Sequence, residues 1–201
     1  HFAMMEARNN VLMITGATPE AGKSFISANL ATVMAQSNKK ILLIDCDMRR
    51  GYLNQLLNVQ PEQGLADILS GNLAPEQAVQ STTIGNLNLI SHGSLPDNPS
   101  ELLMDHRLTQ LFEWAKKEYD YIILDTPPVL SVTDAGIIGQ HAGSTLLVAY
   151  YNKTTLREID SSVNRLAQSN FNINGVVFNG IAREAQDAYG YYAYAKYQKK
   201  S

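Results

Sequence analysis

The sequence predicts an α/β fold, a mostly parallel sheet flanked by helices on both faces. Short apolar runs without polar alternation, the pattern of strands buried on both sides, alternate along the chain with segments of helical period. A glycine-containing turn joins the first run to the first helical segment, and aspartates close two later runs. Those positions lie at the carboxyl edge of a parallel sheet, where such folds bind ligands.

The elements follow in order. Residues 11–15 (VLMIT), ended by Gly16, form the first strand, and residues 23–36 carry Phe25, Ile26, Leu30, Val33 and Met34 at helical spacing. Residues 41–44 (ILLI) form a second buried run and residues 87–90 a shorter strand. Residues 99–118 are expected as one long amphipathic helix through Leu102, Leu103, Leu108, Leu111, Phe112 and Ala115, and Trp114 fits it. Residues 121–124 (YIIL), 145–149 (TLLVA) and 176–178 (VVF) are further strands, with a helix over 155–168 between the last two. The stretch 85–99 around the short strand is the longest loop-like segment. No repeat or low-complexity linker interrupts residues 10–180.

The chain's 201 residues suit one α/β domain, and 45% hydrophobic content is enough for a core. A net charge of −3 argues against a nucleic-acid partner held by a broad basic face. The single cysteine, Cys46, excludes an intrachain disulfide and reads as a small buried residue rather than a nucleophile. No apolar run approaches the length that spans a bilayer. His92, His106 and His141 show no metal-ligand spacing. Five of the ten tyrosines (Tyr189, Tyr191, Tyr192, Tyr194 and Tyr197) crowd the last 13 residues. Residues 183–201 are polar and aperiodic, so the expected division is a phosphate-loop domain over 1–182 and a flexible tyrosine-rich tail over 183–201. Residues 1–10 (HFAMMEARNN) do not make a signal peptide. They open in the middle of an apparent helix, with Phe2, Met4 and Met5, and read as cut from something larger.

The turn Gly16-Ala17-Thr18-Pro19-Glu20-Ala21-Gly22-Lys23-Ser24 approximates the phosphate-loop pattern G-x-x-x-x-G-K-S/T. Gly22, Lys23 and Ser24 match, whereas Ala17 occupies the first glycine position and Gly16 stands one place early. Backbone N–H groups of Glu20 to Ser24 and the following helix start suit a phosphate. Lys23 offers a compact cation for the β and γ oxygens, and the Ser24 hydroxyl suits Mg²⁺. The nucleotide-binding stretch thus runs through Thr18, Pro19, Glu20, Ala21, Gly22, Lys23, Ser24 and Phe25.

The second run ends Asp45-Cys46-Asp47-Met48-Arg49 and the fourth Asp125-Thr126-Pro127-Pro128. Phosphoryl transfer needs a carboxylate on the Mg²⁺ side and a group to orient or deprotonate the acceptor. Asp125 fits the first role, as a Walker B residue. Asp45 and Asp47, two residues apart, are expected at one strand end. Asp45 is a metal candidate with Ser24 and Asp125, and either Asp45 or Asp47 could be the base. Arg49 would hold a phosphate or fix the aspartates by a bidentate pair.

Together VLMITGATPEAGKS, ILLIDCDMR and YIILDTPP, with NPSELL at residues 98–103 and the tyrosine-rich end, resemble the bacterial tyrosine kinases (BY-kinases) over nearly the whole chain. The likeness is greatest to the cytoplasmic kinase domain of proteobacterial polysaccharide co-polymerases, inner-membrane proteins that control capsule and exopolysaccharide export. The resemblance implies Mg-ATP-dependent autophosphorylation of the tail tyrosines in trans, within a homo-oligomeric ring. It further implies a cognate tyrosine phosphatase and the polysaccharide export machinery as partners. It supports Tyr52 as a second, gating phosphorylation site, and Asn179 resembles the adenine-contacting asparagine of related ATPases. Those relatives, septum-positioning and partitioning ATPases, carry a signature lysine where Thr18 stands here. A partitioning-type ATPase is the competing reading, and a nucleotide-binding module without catalysis is a third. The family's E-x-x-R-x-x-R ring helix is not formed by Glu6 and Arg8, so this chain is expected to be monomeric.

Overall fold

The computed structural model describes residues 7–169 and 171–182. Its strands are β1 (Val11–Gly16), β2 (Ile41–Asp45), β3 (Gln80–Ser81), β4 (Leu87–Ile90), β5 (Tyr121–Asp125), β6 (Ser144–Tyr150) and β7 (Gly175–Asn179). They lie in one sheet in the order β3-β4-β2-β5-β1-β6-β7. All pairings are parallel except β3 with β4. The chain places β2 to one side of β1 and β6 to the other, so the sheet order reverses at β1. That is where an open α/β sheet leaves a crevice at its carboxyl edge.

The helices are α1 (Lys23–Ala35), α2 (Leu53–Leu57), α3 (Leu65–Leu69), α4 (Pro75–Ala78), α5 (Pro99–Leu103), α6 (His106–Glu118), α7 (Asp134–Gly139) and α8 (Leu156–Ala167). Alternate strand residues point to opposite sides. Met13, Leu42, Ile44, Ile122 and Leu124 pack with Leu65, Leu69, Leu103, Leu111 and Phe112 of α3, α5 and α6. Ile14, Ile41, Leu43 and Ile123 pack with Ala28, Ala31, Leu53 and Leu57 of α1 and α2. Helices therefore cover both faces, and β1, β2 and most of β5 are buried. Among the described residues no helix is long and apolar enough to cross a membrane.

Two expectations are corrected. Residues 99–118 are two helices, because Asp105 is extended (ψ 143) and its carboxylate accepts the Arg107 N–H at 2.9 Å. A short acidic side chain that caps the next helix ends the preceding one. In α1 the apolar stripe is only partly buried: Ile26, Leu30 and Met34 pack at the edge of the core, and small residues make the central contact. Ser27, Ala28, Ala31 and Ala35 lie on the sheet, while Phe25 and Val33 are exposed. Small residues let this helix approach the strands closely, and the bulky ones flank the contact. The 155–168 helix, by contrast, begins at Thr155, whose hydroxyl accepts the Glu158 N–H at 3.2 Å while Glu158 accepts the Thr155 N–H at 2.8 Å.

Phe112 is 1% exposed at the centre of the α6 face. Phe112→Ala should destabilise the chain by about 3–5 kcal/mol in urea unfolding, with fold retained.

Candidate active site

The phosphate loop leaves β1 at Gly16. A β-carbon there would lie 3.2 Å from Lys23 Cδ and from the Val148 carbonyl, so the early glycine makes room for the Lys23 stem. Ala17, at the usual glycine position, is buried. Glu20 (φ 62) and Gly22 (φ 86) both take the left-handed conformation that coils the loop before α1. A β-carbon on Gly22 would meet Asn179 Nδ2 at 2.2 Å. Asn179, at the end of β7, donates from Nδ2 to the Ala21 carbonyl at 3.0 Å and accepts the Gly180 N–H at 2.9 Å. Its side chain thus braces the phosphate loop.

The segment after β5 runs back along the loop. Thr126 bonds the Ile14 carbonyl through both N–H and hydroxyl at 3.1 Å, and Thr15 donates its hydroxyl to the Pro127 carbonyl at 3.1 Å. Val129 N–H reaches the Gly16 carbonyl at 2.8 Å and Leu130 N–H the Ala17 carbonyl at 3.1 Å. Pro127 and Pro128 have no N–H of their own to leave unpaired.

Register sets the electrostatics. Asp45 and Asp125 are direct partners in the β2–β5 ladder, and both are buried. The Asp45 carboxylate accepts N–H bonds from Asp47 and Leu53, each at 3.1 Å. Asp125 accepts the Ser27 hydroxyl at 3.0 Å and is also bonded by Ser24. Burial pushes Asp125 up to about 6, against the bonds from Ser24 and Ser27 and the nearby Lys23 charge. Burial, then the Asp125 charge, holds Asp45 well above the usual carboxylate range. Burial and the three surrounding aspartates push the Cys46 thiol up as well, which leaves it unreactive.

Two buried carboxylates beside a serine hydroxyl form a donor set for a hard cation. Among the described residues no three His, Cys, Asp or Glu side chains group into a metal cage. Two carboxylates and a hydroxyl suit Mg²⁺, which keeps waters and takes phosphate oxygens beside one or two carboxylates. Ser24, Asp45 and Asp125 are the residues that would hold it.

Asp47 lies close enough for its charge to act on both of these carboxylates, but its own bonds lie elsewhere. The strand ends at Asp45, and Asp47 Oδ1 accepts the N–H groups of Arg49 at 3.1 Å and Arg50 at 2.9 Å. It lines a cavity of about 530 Å³ bounded by Pro19, Glu20, Gly22, Lys23, Ser24, Phe25, Arg50, Tyr52, Leu56 and Pro128. One cavity therefore gathers the loop, Asp47 and Tyr52. Half-buried Thr18 and buried Ala21 are not among its walls.

Of the two expectations for Arg49, the geometry departs from the pairing with the site aspartates and leaves the phosphate contact untested. Its guanidinium fixes neither Asp45 nor Asp47; Nε reaches Asp134 Oδ2 at 3.2 Å and Nη2 the Ser100 hydroxyl at 3.0 Å. Tyr189, Tyr191, Tyr192, Tyr194 and Tyr197 lie outside the described residues. Ser27, Arg50, Ser100 and Asp134 were missed by sequence reasoning. Only Ser27 had a signal, since it lies one turn from Lys23 and Ser24 on α1.

A carboxyl group whose pKa folding raises binds its proton more tightly when folded. Its contribution to stability is full below the unfolded value near 3.8 and is lost as the pH rises through about 6. Asp125→Asn should therefore stabilise the metal- and nucleotide-free chain at pH 7.5 by about 1–3 kcal/mol. The gain should vanish near pH 4, as read by thermal unfolding in EDTA.

The AAA domain family matches residues 11–173. The tyrosine-protein kinase wzc of Salmonella typhimurium is 50% identical over 204 residues, covering 100% of this chain. This chain spans 28% of that relative's length. The solved kinase domain of Escherichia coli tyrosine kinase ETK superposes with a TM-score of 0.88 at 48% identity, covering 91% of this chain and 72% of that one. The septum site-determining protein MinD of Pyrococcus horikoshii, complexed with Mg-ADP, gives a TM-score of 0.73 at 22% identity, covering 88% and 75%, a likeness of fold alone. With its motifs brought to one sheet edge, the chain belongs to the AAA domain family and, within it, to the bacterial tyrosine-kinase domains.

Proposed function

We propose that this chain is an Mg-ATP-dependent protein-tyrosine autokinase whose acceptors are its own C-terminal tyrosines, reached in trans between copies. The observation that carries this reading is the cavity in which Asp47 faces the Lys23–Ser24 end of the phosphate loop. Thr18, Pro19, Glu20, Ala21, Gly22, Lys23, Ser24 and Phe25 would contribute to nucleotide binding, with Asn179 toward the adenine. Mg²⁺, when bound, neutralises phosphate charge.

In the transfer a phenol oxygen forms a bond to the γ-phosphorus, while the bond from that phosphorus to the β–γ bridging oxygen breaks. The electron pair of that bond leaves with ADP. Lys23 offsets charge on the transferring group. The phenol proton passes to a carboxylate. Asp47 suits that role better than Asp45, whose two oxygens are buried and already accept backbone N–H groups.

The tail tyrosines have glycine, alanine and lysine neighbours, which favours access over burial. Each phosphate adds about −1.5 to −2 charge at neutral pH. From Tyr189 onward the tail carries only Lys196, Lys199 and Lys200, so two phosphates cancel its positive charge and a third reverses it. Repulsion from an acidic, ATP-occupied site then favours release and loosens a homo-oligomeric ring. Tyr52, half exposed on the cavity wall, is the further phosphorylation site, at the entrance. In the whole protein the domain would work on the cytoplasmic side of a bacterial inner membrane. There it would regulate capsular or exopolysaccharide export, opposed by a cognate tyrosine phosphatase.

Lys23→Met should abolish phosphotyrosine after incubation with Mg-ATP while leaving the circular dichroism spectrum unchanged; near-normal labelling would refute the assignment. Replacing the five tail tyrosines with Phe should remove most of the label. Release of phosphate from ATP without any phosphotyrosine would favour the partitioning-type ATPase.

A further inference from the structure

Asp134 is a buried carboxylate that the proposed transfer does not use. It is 1% exposed at the start of α7, and an isolated buried charge is costly. Its partners come from the turn after β2 and the first turn of α5. The Ser100 hydroxyl donates to Asp134 Oδ1 at 2.7 Å and accepts from Arg49 Nη2 at 3.0 Å. Arg49 Nε reaches Asp134 Oδ2 at 3.2 Å, and Nη2 reaches Oδ1 at 3.4 Å. The three residues follow β2, β4 and β5, so the network ties the turn after β2 to the starts of α5 and α7, which follow the two neighbouring strands.

Its consequence lies in the backbone of Arg49. That N–H, with the N–H of Arg50, donates to Asp47 Oδ1 and sets the carboxylate's direction. Anchoring the Arg49 side chain anchors the peptide groups that aim Asp47 into the cavity. We propose that Arg49, Ser100 and Asp134 form a clamp that holds the Asp47 turn in place for phosphoryl transfer. Ser100 and Asp134 are then positioning residues that touch neither nucleotide nor acceptor. The role in transfer rests on the tyrosine-kinase reading; the hold on the turn does not.

Removing the hydroxyl with Ser100→Ala breaks two bonds of the clamp without changing charge. With Mg-ATP and a synthetic YGYYAYAKY peptide as acceptor, Ser100→Ala should lower kcat about tenfold, since small misplacements of reacting groups are costly. The KM for ATP and the Kd for Mg-ADP should stay within twofold. Ser100→Thr should restore kcat, and Arg49→Lys combined with Ser100→Ala should be no worse than the more impaired single variant. If Arg49→Lys weakens Mg-ADP while Ser100→Ala changes nothing, Arg49 is a nucleotide ligand and the clamp is overturned.

Amide hydrogen exchange at Arg49 and Arg50, followed by NMR, needs no turnover. Ser100→Ala should speed it about tenfold at both positions, and unchanged exchange sinks the clamp. A wild-type chain that transfers no phosphate, yet shows the faster exchange in Ser100→Ala, upholds the clamp's hold on the turn and removes the kinase reading alone.

Discussion

The β2–β5 ladder places two aspartates opposite each other at a buried sheet edge, and much of the site is organised around that unfavourable pairing. Among the described residues neither carboxylate has an ion-pair partner within 4 Å, so hydrogen bonds and, for Asp125, the nearby Lys23 charge bear the local compensation. Backbone N–H groups of Asp47 and Leu53 serve Asp45, and the hydroxyls of Ser24 and Ser27 serve Asp125. A purely structural sheet would place an apolar residue at one of these positions. Retaining both carboxylates costs stability and leaves a donor set of the kind a hard cation would take.

The rest of the sheet edge is built for closeness. Gly16 has no side chain because Lys23 passes over it, and Gly22 has none because Asn179 reaches under it. Alanines on α1 bring Ser27 within reach of Asp125. The Thr126-Pro127-Pro128 segment lies along the end of β1, exchanging hydroxyl and peptide bonds with it. These contacts leave the phosphate loop little freedom before any ligand arrives, which lowers the ordering cost of binding.

A second layer lies one shell outward. Asp134 is as deeply buried as Asp125, but it is paired with Arg49, and the pair spans loops far apart in sequence. The inner aspartates are held by backbone N–H groups and serine hydroxyls, and the outer one by an arginine and a serine. The same residue type therefore serves as a site group in one place and as a fastening in the other.

The sheet was legible because its strands are apolar on both sides; a parallel sheet covered by helices needs that pattern wherever it occurs. Lys23, Ser24, Asp45, Asp47 and Asp125 were legible as candidates because phosphate chemistry calls for those types after strands. The split at Asp105 was hidden, since a capping aspartate inside a continuous apolar stripe looks like a solvent-facing residue. The face of α1 was hidden because Phe25 and Val33 carry more hydrophobic signal than the alanines that pack.

By itself, then, the sequence determined most of the element order, the phosphate loop and the candidate residues for the chemistry. These depend on neighbours along the chain and on short-range period. Only the tertiary structure decided that Asp45 faces Asp125 while Asp47 faces the cavity, and that Arg49 belongs to Asp134. Strand register and loop-to-loop contacts join residues some 50–85 positions apart, and nothing in local spacing encodes which of several aspartates an arginine will meet.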